Sequence, residues 1–562
     1  MPIRMKKLSN YWAGWLLTLV LGVLVFLFWC YRYPFALTYQ EQLQLFLFDA
    51  DYFWERLAEP GGLARYVAEF LVQFYNGVAI GAAIIAVLYM LIQRLTWRLM
   101  QIKDHYILSV IPVAMLWFAM GDESVMLTYA VALAMALTVM IAWTKLAPPN
   151  RVVRVIAVVI LVPILYWLIG PLVLMVAVWM MPLSGLYALA LMLLSAHYLP
   201  FPMMRVMLGI SYYRIPMTLP YMLMAIPVVI LLLGWLAKRL PEPKTWVKYA
   251  EALWLAVLIV VPQQFGFDTK KYELMEYDYL VRIGDWNGII AKAEAQTPDL
   301  PMSVSATNLA LAMTNQLGDR AFDFFQHGSE GLLPKFERNF ATTQLTGEIY
   351  FNLGLVNTAQ RLAFEAMEAI PNYNKSARVV KRLAETNLIN GEYKVAEKYL
   401  RMLEKTVFYR PWAQRTMQLL GNEKAINEHP LYGTLRQYRL QDDFLFSDRE
   451  LDKICGQLFM HNTRNLLAAQ YLLMMPLMDK DIARFMQYAP VVQNRIPYHP
   501  RHIQEGIALA FMQQRQQPPQ GILSQFMLQQ MNEFASIYSA NQQASELNKF
   551  KNTLWYYLMV GK

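Results

Sequence analysis

Long apolar stretches alternate with short polar ones up to about Pro262, and beyond that point charged residues recur every few positions. A run of ~20 apolar residues is long enough to cross hydrocarbon as a helix, so the first part of the chain is expected in lipid and the second in water. The apolar runs fall at 12–29, 71–92, 107–121, 125–144, 153–169, 171–182, 184–199, 218–237 and 250–263. They predict about nine spans, several of them shorter than ~20 residues. The expected fold is all-α: a polytopic transmembrane helix bundle over residues 1–264, a TPR-like α-solenoid over 265–421, and a helical extension of that solenoid over 422–562.

The short connections set the orientation. With the N-terminus in the cytoplasm, Arg94, Arg98 and Lys103, then Lys145, Arg151 and Arg154, then Lys238, Arg239, Lys244 and Lys248 all fall on the cytoplasmic side, as basic loops should. Arg4, Lys6 and Lys7 precede the first run, and no small-residue cleavage site precedes Tyr31, so that run reads as an uncleaved anchor. The acidic segment from Glu41 to Glu59, the pair Asp122 and Glu123, and everything after Gln264 are then outside. Pro163, Gly170, Pro171 and Pro182 mark either two turns or kinks, and merging two runs there would give eight spans and a cytoplasmic C-terminal domain.

Composition narrows the classes. Hydrophobic residues make up 57% of the chain, more than a water-soluble core buries. The formal charge of +9 is spent largely on topology-setting loops, which argues against nucleic acid as a partner. The two cysteines, Cys30 and Cys455, lie in different environments, so neither a disulfide framework nor a cysteine-based metal site is available. The histidines are dispersed, and the spans carry almost no ionisable groups away from their ends, unlike ion-coupled carriers.

In the polar half, Gly284, Gly318, Gly354 and Gly391 recur at intervals of 34, 36 and 37 residues. This spacing resembles a tetratricopeptide array, and Gly347, Tyr350, Gly354, Ala359, Ala366 and Pro371 fit one unit of it. Such repeats imply a surface for a protein or peptide partner. Further helices are expected over 466–478, 503–513 and 523–538.

Candidate chemistry lies in the first outer loop, where Asp49 and Asp51 stand two positions apart among Phe48, Tyr52, Phe53 and Trp54, with Glu41 upstream. Such carboxylates can hold a divalent cation through oxygen ligands, or one can act as general base toward a hydroxyl. The plainer reading, favoured by the residues alone, is an interfacial amphipathic helix with solvated acids. A phosphate-bearing ligand would need cations, and the outer segment 201–220 offers Arg205 and Arg214 beside Tyr212 and Tyr213. Taken singly, each reads rather as an ordinary headgroup anchor, and only convergence with Asp51 would favour the phosphate.

The layout of an acidic first outer loop, a second acidic pair and a soluble domain after the last span resembles the GT-C class of membrane glycosyltransferases. That resemblance implies a lipid-phosphate-linked sugar donor and catalytic acids among Asp49, Asp51 and Glu41 in the first loop and Asp122 or Glu123 in the second. Through Tyr39 to Phe53, Pro60-Gly61-Gly62-Leu63 and Thr553-Leu554-Trp555-Tyr556-Tyr557-Leu558, the chain also resembles an uncharacterised family of Bacteroidota polytopic membrane proteins with a C-terminal TPR-like domain. The expectation is a bacterial inner-membrane protein with a periplasmic C-terminal domain, either such an enzyme or a membrane-anchored scaffold. A reporter fused after Lys562 should accordingly be active as a periplasmic enzyme; activity only in the cytoplasm would reject the odd number of spans.

Overall fold

The computed structural model describes residues 2–561 apart from 101–104, 216–217, 238, 242–244, 336–339, 372–373, 441–449, 515, 517–523 and 540–543. Lys103, Lys238, Lys244, Leu523 and Lys562 lie outside the described residues, as do the side chains of Arg4, Lys6, Lys7 and Lys248. Among the described residues the chain is all-α, with no strand and one isolated bridge, Val125 with Tyr213.

The chain folds as two compact units. The first comprises Met1–Glu273 with Ile370–Ala377 and Met402–Pro411; the second comprises Leu274–Ala369, Arg378–Arg401 and Trp412–Lys562. Two short connections from the expected repeat region therefore belong to the first unit. Nothing in their composition marks them, because what holds them there is contact with residues hundreds of positions away.

In the first unit every expected apolar run contains helix, since in hydrocarbon a backbone N–H or C=O finds no partner except within its own helix. Among the described residues four helices are long and apolar enough to cross a bilayer: Gly14–Arg32, Val78–Met100, Leu127–Leu146 and Arg151–Met180. That is fewer than nine. The runs at 153–169 and 171–182 join into one 30-residue stretch, broken at Gly170, whose φ of +70° suits glycine. Ile107–Ala119, Ser184–Tyr198 and Tyr221–Ala237 are apolar but shorter, and Leu253–Phe265 is the apolar part of the 21-residue helix Thr245–Phe265. At ~1.5 Å per residue, helices of 13–17 residues reach only ~20–25 Å of the ~30 Å of hydrocarbon.

A polar but uncharged seam ties three of these helices together. Thr18 Oγ1 donates to Gln93 Oε1 at 2.7 Å, and Gln93 Nε2 donates to Ser109 Oγ at 2.7 Å, all three residues being fully buried. In an apolar surround such bonds fix which helix faces meet. Connections and span ends expected on one side bond one another: the Tyr272 hydroxyl donates to Gly121 O at 2.9 Å, and the Gly61 N–H to Trp167 O at 2.9 Å. At the ends expected on the other side, His105 bonds both Glu251 and Pro241 O.

The second unit is built from paired helices, among them Phe340–Leu353 with Val356–Glu368 and, in part, Ala377–Asn390 with Tyr393–Glu404. Ala359, Ala366, Ala384 and Ala396 are buried, and a Cβ added at Gly347 would reach Leu362, so small residues sit where helices approach closely. Helices also form at Leu466–Met478, Arg501–Gln513 and Gln525–Ser539. Three of the four periodic glycines, Gly284, Gly354 and Gly391, have positive φ and end a helix. Gly318 does not. It lies inside the short helix Leu317–Arg320, and Asn315, with φ of 59°, takes the left-handed position instead.

Two such glycines separate backbone strain from crowding. A Cβ at Gly354 would stand 2.7 Å from Tyr438 Cβ, whereas at Gly391 it would meet nothing within 4 Å. Both alanine variants bear the left-handed penalty of about 1 kcal/mol. Gly354→Ala should therefore lose at least about 1 kcal/mol more than Gly391→Ala in denaturant unfolding of the full chain; equal losses would reject the close approach.

Candidate functional site

The first outer connection folds into three helices, Pro34–Glu41, Ala50–Leu57 and Gly62–Val72. Asp49 caps the second: its carboxylate accepts from the Asp51 N–H at 3.3 Å, satisfying a donor that the first helical turn leaves open. Its other oxygen pairs with Lys405, whose ammonium holds the Asp49 carboxyl below the ordinary range. Asp51 is exposed, and no described group engages its carboxylate. The pair does not suit a divalent cation. An ion there would have to displace Lys405, and among the described residues no group of three His, Cys, Asp or Glu is placed to hold a metal.

Glu41 is buried in a polar stretch with Gln40, Gln42 and Gln44, and the Tyr409 hydroxyl lies 3.1 and 3.2 Å from its two oxygens. In the second outer loop, Asp122 accepts from the Ser124 N–H at 2.9 Å and from the Tyr213 hydroxyl at 2.6 Å. Glu123 pairs with Lys271 at 3.0 Å, and its carbonyl accepts from Arg214 Nη1 at 2.5 Å. The structure thus brings Asp122, Glu123 and Arg214 together and joins neither Asp49 nor Asp51 to them.

At the centre of the first loop stands a cluster that the sequence reading did not pick out. Glu69, 1% exposed, lies between Arg56 Nε at 2.8 Å and Arg65 Nε at 2.9 Å, and the Tyr52 hydroxyl donates to it as well. Arg65 also reaches Glu59 at 2.7 Å and Asn374 Oδ1 at 2.9 Å. Burial alone would raise the Glu69 pKa, but the two guanidiniums outweigh it and hold the carboxyl below its usual value. The i,i+4 spacing of Arg65 and Glu69 on one helix was readable; the partners from elsewhere were not.

The two expected phosphate ligands differ in setting. Arg214 is 4% exposed. Arg205 is half-buried and donates to Ile210 O at 3.2 Å and, at 3.5 Å, to Arg214 O, with no described carboxylate at ion-pair distance. Burial, and then the neighbouring Arg65, lower its pKa, while Glu59 raises it. The same short helix, Met203–Leu208, gives Met207 and Leu208 to an apolar groove of about 260 Å³ that Leu172, Met175, Tyr212 and Leu223 also line.

All-α among the described residues, with four helices there long and apolar enough to cross a bilayer, the chain has the make-up of a multi-pass membrane protein. It belongs to a family of unknown function (DUF6057), matched over residues 9–561. No curated protein and no solved structure matches it.

Because the folded-state pKa of Glu69 lies below its ordinary 4.5, its stabilisation is complete above that pH and is lost as acid protonates it in the folded state. Glu69→Gln removes the carboxylate that Arg56 and Arg65 share, leaving Arg56 with Glu55 and Arg65 with Glu59 and Asn374, and should cost about 2–3 kcal/mol while flattening the stability decline below pH 4.5. An unchanged acid limb in thermal unfolding would show that the cluster does not hold this loop.

Proposed function

We propose that this is an envelope membrane protein that binds a phosphate-bearing lipid at its outer side and acts as a GT-C-like glycosyltransferase on a lipid-phosphate-linked sugar. In this reading it sits in the bacterial inner membrane, and the stretch 151–180 reverses at Gly170, so that nine crossings remain. Its C-terminal helical domain is periplasmic and TPR-like, and receives the acceptor or a protein partner. The pairing of outer with outer and inner with inner connections supports the crossings.

The observation that carries the reading is Arg205: a half-buried guanidinium, bonded among the described residues only to main-chain carbonyls, two and three positions before Met207 and Leu208, which its helix gives to an apolar groove. A planar guanidinium donates two parallel bonds to a phosphate, and the groove suits a lipid chain. In such a transfer a carboxylate takes the proton of the acceptor hydroxyl, the hydroxyl oxygen bonds the anomeric carbon, and the lipid phosphate leaves with the electron pair. Arg205 would steady that leaving phosphate. Of the first-loop acids, Asp51 has the freest carboxylate and Glu59 is the one in electrostatic reach of Arg205.

A second reading, a non-catalytic membrane-anchored scaffold, is favoured by Asp49, which serves as a helix cap and a strut to Lys405. The two separate in a strain lacking the gene and complemented with single variants, read by its envelope glycan and glycoprotein profile. With membrane abundance unchanged, Arg205→Gln and either Asp51→Asn or Glu59→Gln should cut the glycan product on the order of a hundredfold, and Asp285→Asn, in a turn of the second unit, should not. Full complementation by all three would leave the scaffold.

A further inference from the structure

Arg214 is held where an arginine is costly to keep. The Val125–Tyr213 bridge and the bond from its own N–H to Ser124 O, at 2.8 Å, fix its backbone against the second outer loop. That fixing turns the guanidinium inward. Nη1 donates to Glu123 O, while Nε and Nη2, both buried, have no hydrogen-bond partner.

The neighbouring carboxylates are already used. Asp122 takes Tyr213 and Ser124, and Glu123 takes Lys271, so neither pairs with Arg214 at ion-pair distance among the described residues. Around the guanidinium stand tyrosines. Tyr39 and Tyr75 are in electrostatic reach, and Tyr75 in turn is in reach of Tyr89. The Tyr75 and Tyr89 hydroxyls are fully buried and also lack any partner. Burial pulls the Arg214 pKa down to about 10, and at neutral pH the charge remains.

A buried guanidinium whose neighbouring carboxylates, Asp122 and Glu123, act on it only through space and are bonded elsewhere, beside unpaired hydroxyls, is an arrangement that folded chains avoid unless something completes it. Here every unsatisfied group is a donor, which selects an acceptor with negative charge. The lack of exposure selects a small one and excludes a lipid headgroup bearing a sugar. We propose that Arg214, with the Tyr75 hydroxyl and with Tyr89 beside it, encloses one small inorganic anion of the class of chloride or phosphate, which locks the segment 209–214 to the second outer loop. This site is separate from Arg205 and does not depend on the glycosyltransferase reading.

The test uses the purified full chain in detergent, thermally unfolded in chloride, phosphate or gluconate salts at one ionic strength. Chloride or phosphate should raise the unfolding temperature by several degrees over gluconate, whichever of the two is stronger naming the anion. Arg214→Gln should abolish that difference. Should Arg214→Gln not fold, Tyr75→Phe keeps the cation and should shift the anion concentration for half-maximal stabilisation upward several-fold. Equal unfolding temperatures in all three salts for the natural chain would mean that water alone fills the site and would overturn the proposal, as would an anion effect that survives both substitutions.

Discussion

A carboxylate almost without access to water, Glu69, is held between two guanidiniums, and the outer connections of the first unit are organised around that fact. Such a group survives only when its attraction to its partners offsets the loss of hydration. Arg56 comes from one short helix, Arg65 and Glu69 from the next, and Asn374 from a connection about 300 residues later. Asp49 with Lys405 and Glu41 with Tyr409 extend the same principle outward. The acids of this loop that the sequence offers as chemistry are thus mostly occupied in holding it together.

The fold was legible where a local period carried it. Apolar runs announce helices because lipid leaves the backbone no other partner, and Leu466–Met478 was readable to the residue. Span number was less legible, because composition does not say whether 13 apolar residues at Ile107–Ala119 cross a bilayer or pack within a bundle. Glycine spacing located three turns in the second unit, at Gly284, Gly354 and Gly391, yet at Gly318 the left-handed residue is Asn315, since either residue type tolerates that backbone. The site was less legible still. Lys405 and Asn374 reach the first loop across more than 300 positions, and no pattern along one sequence encodes such a pairing.

The two arginines of the segment 201–220 read alike in sequence and differ in the structure. Arg214 is enclosed against the second outer loop with donors to spare, while Arg205 remains partly open on a helix that also feeds an apolar groove. The two proposals accordingly give them different ligands: a small anion inside, and the phosphate of a lipid at the edge.

The central claim is that Arg205 and its groove hold a phosphate-bearing lipid. Native mass spectrometry of the protein released from membranes, with polyprenyl phosphate and a neutral diacylglycerol offered in turn, tests it most directly. The natural chain should retain a phosphate-bearing lipid and bind it at least tenfold more tightly than Arg205→Gln does, with the neutral lipid binding both equally. Equal retention of the polyprenyl phosphate by the two proteins would contradict it.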